Sequence, residues 1–275
     1  MSPNPALNNA DGSVPAPEAL GALQRSWTLS KPAASTQVPA WPANLPLRDS
    51  FLSLRDIPQI SFDQACGAFT MTDPAYPAEW KDQIRQLRDR LNTAQGELSD
   101  PNDLLQVIAF TNMDGGRARH GTAANLALAM AAIQDTRVLV IDANLSYPTL
   151  HTHLDGPAAP GLCEVTRASR IAMPQCFRRV AGTQIYFLTV GDTSAYPMDA
   201  LDLRGLHVVL HCLRSQFDWI LIDGPGFDTA ADSIAITMAA DGVIMMIESE
   251  HDNFRNVARA LSHVQGRRML GAVMF

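Results

Sequence analysis

Three short runs in this sequence carry the residue types from which phosphate and metal chemistry is built. The first is the loop Thr111-Asn112-Met113-Asp114-Gly115-Gly116-Arg117-Ala118-Arg119-His120, set between an apolar run at 107–110 and an Ala-rich segment from Thr122. A Gly-rich loop between a strand and a helix turns backbone N–H groups and the helix N-terminus toward an anion. Here Gly115 and Gly116 allow the turn, and Arg117 and Arg119 bring positive charge. The second run, Val138-Leu139-Val140-Ile141-Asp142-Ala143-Asn144, and the third, Trp219-Ile220-Leu221-Ile222-Asp223-Gly224-Pro225, each end an apolar stretch on an aspartate. A carboxylate at the C-terminal end of a parallel strand lies where such sheets bind ligands. Asp142 and Asp223 are therefore candidate site residues, with capping or hydrogen bonding of the following loop an equal reading for Asp223.

The elements around these runs decide whether they meet. Apolar, strand-like runs at 104–110, 137–141, 184–189, 219–222, 242–247 and 270–274 alternate with helical patterns at 122–133, 203–216, 230–239 and 253–264. That alternation predicts an α/β fold, a doubly wound, mostly parallel sheet covered on both faces. A further helix is predicted over 79–95, where Trp80, Ile84, Leu87 and Leu91 recur at helical spacing and Lys81, Asp82, Arg85, Arg88 and Arg90 fill the polar faces. Residues 1–48 hold eight of the 18 prolines and read as a disordered tail ahead of one domain at 49–275. Trp27 and Trp41 in that tail are open to three readings: partner anchors, incidental residues, or docking on the parent domain. Residues 50–77 read as a poorly patterned bridge.

Composition removes several function classes. A formal net charge of -7 and the lack of any basic cluster exclude a generic nucleic-acid binder. The four cysteines, Cys66, Cys163, Cys176 and Cys212, lack metal-ligand spacing and read as reduced core thiols. His151 and His153, two apart with no third ligand, read as surface or loop histidines, so no metal site is expected. No apolar run reaches the roughly 20 residues of a membrane span, and the start of the chain lacks a secretory pattern. The expectation is a cytoplasmic protein without a direct membrane span, reaching a membrane through a partner.

In their order and spacing, over about 75–275, these runs resemble the bacterial tyrosine kinases of polysaccharide export, relatives of the ParA/MinD group of P-loop NTPase-like, deviant-Walker ATPases. The loop TNMDGGRARHGTAANLA sits where a run like T-S-x-x-P-G-A-G-K-T-T-x-A-A-N-L-A is expected. Arg119 then replaces the phosphate lysine, His120 the magnesium-binding Thr/Ser, and Ala118 the preceding glycine, while Asp114 falls at the signature lysine of the partitioning ATPases. Asp142 matches the first carboxylate of the family's D-x-D-x-R motif. Asn144 stands for the second and Ser146 for the arginine. Asp223-Gly224-Pro225 resembles an intact D-x-P. Phe275 occupies the position of the asparagine expected to recognise adenine, and Tyr76, Tyr147, Tyr186 and Tyr196 are scattered where the family clusters its acceptor tyrosines. Asp82-x-x-Arg85-x-x-Arg88 resembles the E-x-x-R-x-x-R motif that joins subunits; an oligomer interface and a solvated charged face both remain open.

The resemblance implies a pseudokinase, a catalytically inactive regulator or scaffold of exopolysaccharide or capsule assembly. It further implies a membrane-embedded polysaccharide co-polymerase or export component as partner, a homo-oligomer, and a place at the inner membrane reached through that partner. No cofactor is expected, with ATP and Mg entering only if the altered loop still binds. Two alternatives stand beside this: an active, atypical autokinase or ATPase using Arg119, Asp142 and Asp223, and a partitioning or localisation ATPase relative.

Overall fold

The runs that end in Asp142 and Asp223 are strands, and they lie side by side in one sheet. The computed structural model of the chain describes residues 52–98, 104–112, 121–167, 173–194, 203–226, 230–247 and 269–274. In chain order these form β1 (Gln59–Ile60), α1 (Phe62–Ala65), α2 (Ala78–Gly96), β2 (Val107–Thr111), α3 (Thr122–Ala131), β3 (Val138–Asp142), α4 (Leu150–His153), α5 (Leu162–Thr166), β4 (Phe177–Val180), β5 (Ile185–Leu188), α6 (Leu203–Leu213), β6 (Trp219–Asp223), α7 (Ala230–Ala239), β7 (Gly242–Ile247) and β8 (Met269–Met274). The described strands make an eight-stranded sheet in the order β1-β4-β5-β3-β6-β2-β7-β8. Every neighbouring pair is parallel except β4 with β5. The fold is α/β with a doubly wound, mostly parallel sheet, as the alternation predicts.

Strand periodicity divides the core in two. Val107, Ala109, Leu139, Ile141, Ile220 and Ile222 face one side with Leu162, Val209 and Ile236 of α5, α6 and α7. Ile108, Phe110, Val138, Val140, Trp219 and Leu221 face the other with Leu126 and Met130 of α3. Burial on both faces is why these strands are continuous apolar runs rather than alternating ones. Helix α3 is buried almost all round, which its Ala-rich sequence permits. Its outer side is covered by α2, which turns Ile84 and Leu91 inward.

Two features depart from the sequence reading. The stretch ahead of α2 is no loose bridge. Ser61 and Gln64 form a reciprocal capping box on α1, with Gln64 N–H donating to Ser61 Oγ at 3.1 Å and Ser61 N–H to Gln64 Oε1 at 3.0 Å. The chain wraps the sheet edge, so Leu52 and Ile57 pack on one face and Ala65, Ala68 and Phe69 on the other. The second departure is β4, which pairs antiparallel to β5 and carries β1 on its far side. Elsewhere the differences lie at the ends: α3 stops at Ala131 rather than 133, α6 at Leu213 rather than 216, and β2 starts at Val107. The helix predicted at 253–264, the tail at 1–48 and Phe275 lie outside the described residues. Among the described residues no helix is long and apolar enough to cross a membrane.

Candidate functional site

Strands β3, β6 and β2 are neighbours at the centre of the sheet, and their C-terminal ends supply the site. From β2 the chain moves outward to β3, and from β6 it returns across β2 to β7. The two directions diverge between β6 and β2, the switch point where open α/β sheets bind ligands. Asp142 and Asp223 are register partners on β3 and β6. The loop after β6 folds tightly over β2: Gly224 N–H donates to Phe110 O at 2.9 Å, and Thr111 Oγ1 to Pro225 O at 2.9 Å. A Cβ on Gly224 would stand 2.8 Å from Phe110 O, so the residue after Asp223 has no room for a side chain.

The two carboxylates differ in what surrounds them. Asp142 is 1% exposed and accepts N–H groups from Asn144 at 3.1 Å, Thr149 at 3.2 Å and Leu150 at 3.1 Å. Burial pushes its carboxyl up to about 6, and those three donors limit the rise. Its oxygens fasten the loop that leads into α4. Asn144 works the same way, its Oδ1 accepting Tyr147 N–H at 3.1 Å. Asp223 keeps some surface open. Its carboxyl is pushed up to about 8, first by burial and then by the neighbouring charge of Asp142. Two adjacent carboxyls raised in this way can share a proton or give one oxygen ligand to a cation.

Magnesium takes oxygen ligands, commonly one or two carboxylates together with substrate phosphates. The described residues offer Asp223; Asp142 is taken up by backbone, and the expected hydroxyl position is His120. Gly115, Gly116, Arg117, Arg119 and His120, the nucleotide-binding remnants, lie outside the described residues. Among the described residues no group of three or more His, Cys, Asp or Glu is placed to hold a metal. His151 and His153 sit on the single turn of α4, and burial, followed by the charge of His151, lowers the pKa of His153. Three of the four thiols are buried as expected, whereas Cys66 is exposed.

The α2 residues divide. Asp82 and Arg85 form an exposed pair at 2.8 Å. Arg88 instead turns inward, donating to Ala129 O at 3.3 Å near the end of α3 and pairing with Asp89 at 2.8 Å. One residue that sequence reading passed over ties α3 to the chain ahead of α2. Asn125 accepts Met71 N–H at 2.9 Å and donates to Thr70 Oγ1 at 2.8 Å and Gly121 O at 2.7 Å. Gly121, at φ 108, ends the candidate phosphate loop and opens α3. An asparagine inside an Ala-rich helix was the available signal.

The family model described as ATPase MipZ matches residues 106–262, from the start of β2 to beyond β7 and more than half of the chain. The chain belongs to the ATPase MipZ family. Relatives of this MipZ-family chain are named as bacterial tyrosine-protein kinases. Tyrosine-protein kinase YwqD of Bacillus subtilis (strain 168) is 26% identical over 196 residues, covering 70% of this chain and 79% of that protein. Among solved structures, the chimerical protein CapA2B2 superposes with a TM-score of 0.64 at 21% identity, covering 79% of this chain and 92% of that one. A ParA family ATPase from Chlorobium tepidum TLS superposes with a TM-score of 0.52 at 16% identity, covering 63% and 74%. The solved structures bear on the fold alone. The resemblance to tyrosine kinases and their ParA-type relatives is borne out.

Proposed function

We propose that the chain is a tyrosine-kinase-like pseudo-ATPase, a regulator or scaffold in exopolysaccharide or capsule assembly. The observation that carries the inactive reading is the use of the second strand's polar groups. Asp142 and Asn144 hold their own loop through backbone N–H groups, and burial beside Asp142 raises the Asp223 carboxyl. A cation or a base role there must compete with the proton that burial favours. The substitutions at Arg119 and His120 act in the same direction, because a planar guanidinium does not replace an ammonium and imidazole does not replace a hydroxyl on magnesium. The polysaccharide role rests on the relatives named as tyrosine-protein kinases, CapB and EpsB among them. A membrane-embedded co-polymerase or export component is the proposed partner, and Asp82 with Arg85 the exposed part of a subunit interface.

Calorimetry of the purified chain with ATP and ADP in magnesium, beside Asp223→Ala, tests the reading. No heat at millimolar nucleotide supports a scaffold. Clear binding that Asp223→Ala weakens, followed by turnover, would replace it with the active, atypical ATPase.

A further inference from the structure

Residues 66–77 run between the candidate site and the first turn of α2. Two fixings hold them, and both lead back to the site. The first starts at Asp142, whose Oδ2 accepts the N–H groups of Thr149 at 3.2 Å and Leu150 at 3.1 Å. That carboxylate oxygen therefore sets the opening of α4. Thr149 O then accepts His153 N–H at 3.2 Å and closes the turn. At its far end, His153 O lies so near Gly67 that a Cβ there would stand 3.0 Å away. Leu150 and Leu154 share one apolar cluster with Ala65, Ala68 and Phe69. Helix α4 is thus pressed onto the 66–69 turn, and what holds α4 holds that turn.

The second fixing is Asn125, in the first turn of α3. It accepts Met71 N–H at 2.9 Å and donates to Thr70 Oγ1 at 2.8 Å, while the same amide reaches Gly121 O at 2.7 Å. Beyond Met71 the chain is braced toward α2. Thr72 N–H donates to Phe69 O at 2.9 Å, Asp73 N–H to Thr70 O at 3.0 Å and Tyr76 N–H to Asp73 O at 3.1 Å. Pro77 O accepts Trp80 N–H at 3.1 Å and Lys81 N–H at 3.3 Å, and Lys81 Nζ returns to Asp73 O at 3.1 Å. A continuous run of short contacts therefore joins Asp142 and Gly121 to Lys81, the residue before the exposed Asp82–Arg85 pair. We propose that residues 66–77 are a strap that couples the carboxylate site to the first turn of α2, with Asp142 and Asn125 as its anchors. Freeing Thr149 and Leu150 from Asp142 loosens α4, then the 66–69 turn, then the hold on α2. Coupling free energy is reciprocal, so a subunit or partner seated on the Asp82–Arg85 pair steadies the loop after β3 in return. The strap goes beyond the pseudo-ATPase reading, since it acts with or without nucleotide turnover.

Amide hydrogen exchange of the native full chain reads the strap from both ends. Asp142→Asn keeps the shape of the side chain but turns one of its two acceptor oxygens into a donor. Exchange should then quicken about tenfold at Met71, Thr72, Trp80 and Lys81, none of which bonds to Asp142. Lys81→Met removes the bond to Asp73 O at the opposite end. It should quicken exchange at His153 and Leu154 about threefold. Ile220 N–H, bonded to Gln106 O at 2.9 Å in the middle of the sheet, reports opening of the whole fold. Changes at both distant ends with Ile220 unaltered support the strap. If Asp142→Asn quickens only residues 149–154, or Lys81→Met leaves His153 and Leu154 untouched, the coupling does not exist. Equal acceleration at Ile220 overturns the proposal as well, because the loss then belongs to the whole fold. Should Asp142→Asn fail to fold, Lys81→Met decides alone.

Discussion

Asp223 concentrates the electrostatic cost of the site in one side chain. Its folded pKa of about 8 stands far above the 3.8 of a free carboxyl, so between those values the folded state binds more protons than the unfolded one. Stability contributed by the protonated group is complete below about pH 4 and is lost as pH rises through 8, with Asp142 adding the same trend up to about 6. Asp223→Asn removes the titrating group at nearly constant shape. Urea unfolding should show the variant less sensitive to pH, and at pH 8.5 more stable than wild type by on the order of a few kcal/mol. Parallel loss of stability in the two proteins between pH 5 and 8.5 would count against this account. Asn125 is the opposite case, a polar side chain with every group in use. Asn125→Ala strands Met71 N–H and takes a donor from Thr70 Oγ1, and should cost about 2 kcal/mol, measurable as a lower urea midpoint. Both aspartates were legible because each closes an apolar run. The partners of Asp142 at Thr149 and Leu150, and those of Asn125 more than fifty residues away, exist only once the chain has folded.

Helix α2 shows how packing separates charges that look equivalent in sequence. Its apolar stripe was plain, and Ile84 and Leu91 are buried as that stripe requires. Asp82, Arg85 and Arg88 look equivalent at three-residue spacing, yet packing separates them. The Arg88 side chain is 22% exposed and its guanidinium reaches a carbonyl at the end of α3, where a cation opposes the helix dipole. Arg85 lies in an exposed pair of the kind that contributes between nothing and about 1 kcal/mol. Arg88→Met should therefore lower monomer stability by about 1–2 kcal/mol, whereas Arg85→Ala should leave it within about 0.5 kcal/mol. Thermal melts of the two variants at low concentration compare them directly. If Arg85→Ala is the more damaging change, the division between the two arginines is wrong. The same contrast explains the elements missed in the sequence. Strand β4 reads Phe-Arg-Arg-Val, and its arginines look solvent-bound until Arg179 is seen over the Tyr186 ring at 5.5 Å and bonded to Thr183 O. Strand β1 has two residues, too few for any periodicity. The buried parallel strands needed no partner to be recognised, since only double-sided burial makes such runs.

Across the whole molecule, the carboxylate end of the sheet is balanced by a clamp at the other end. Asp241, at the entry to β7, accepts both guanidinium nitrogens of Arg214 at 2.7 and 2.6 Å, and also the N–H groups of Gln106 at 2.9 Å and Val107 at 2.8 Å. Gln106 Nε2 in turn donates to Arg214 O and Phe217 O. One carboxylate thus fastens the end of α6 to the starts of β2 and β7, three elements far apart in sequence. Both charged side chains are mostly buried, at 17% and 13% exposure, so removing either partner leaves a charge short of its counterpart. Asp241→Ala should cost about 3–5 kcal/mol, and Arg214→Met less, because Asp241 would keep its two backbone donors. In a double-mutant cycle the combined change should cost clearly less than the two single changes added together, since much of each single cost is the stranded partner. Additive losses would mean that the bidentate pair does little beyond filling space. The clamp stands at the N-terminal strand ends and Asp223 at the C-terminal ends of the same sheet. The fraction of Arg214→Met chains that remain folded should therefore show the same pH dependence at Asp223 as wild type, at a lower overall stability.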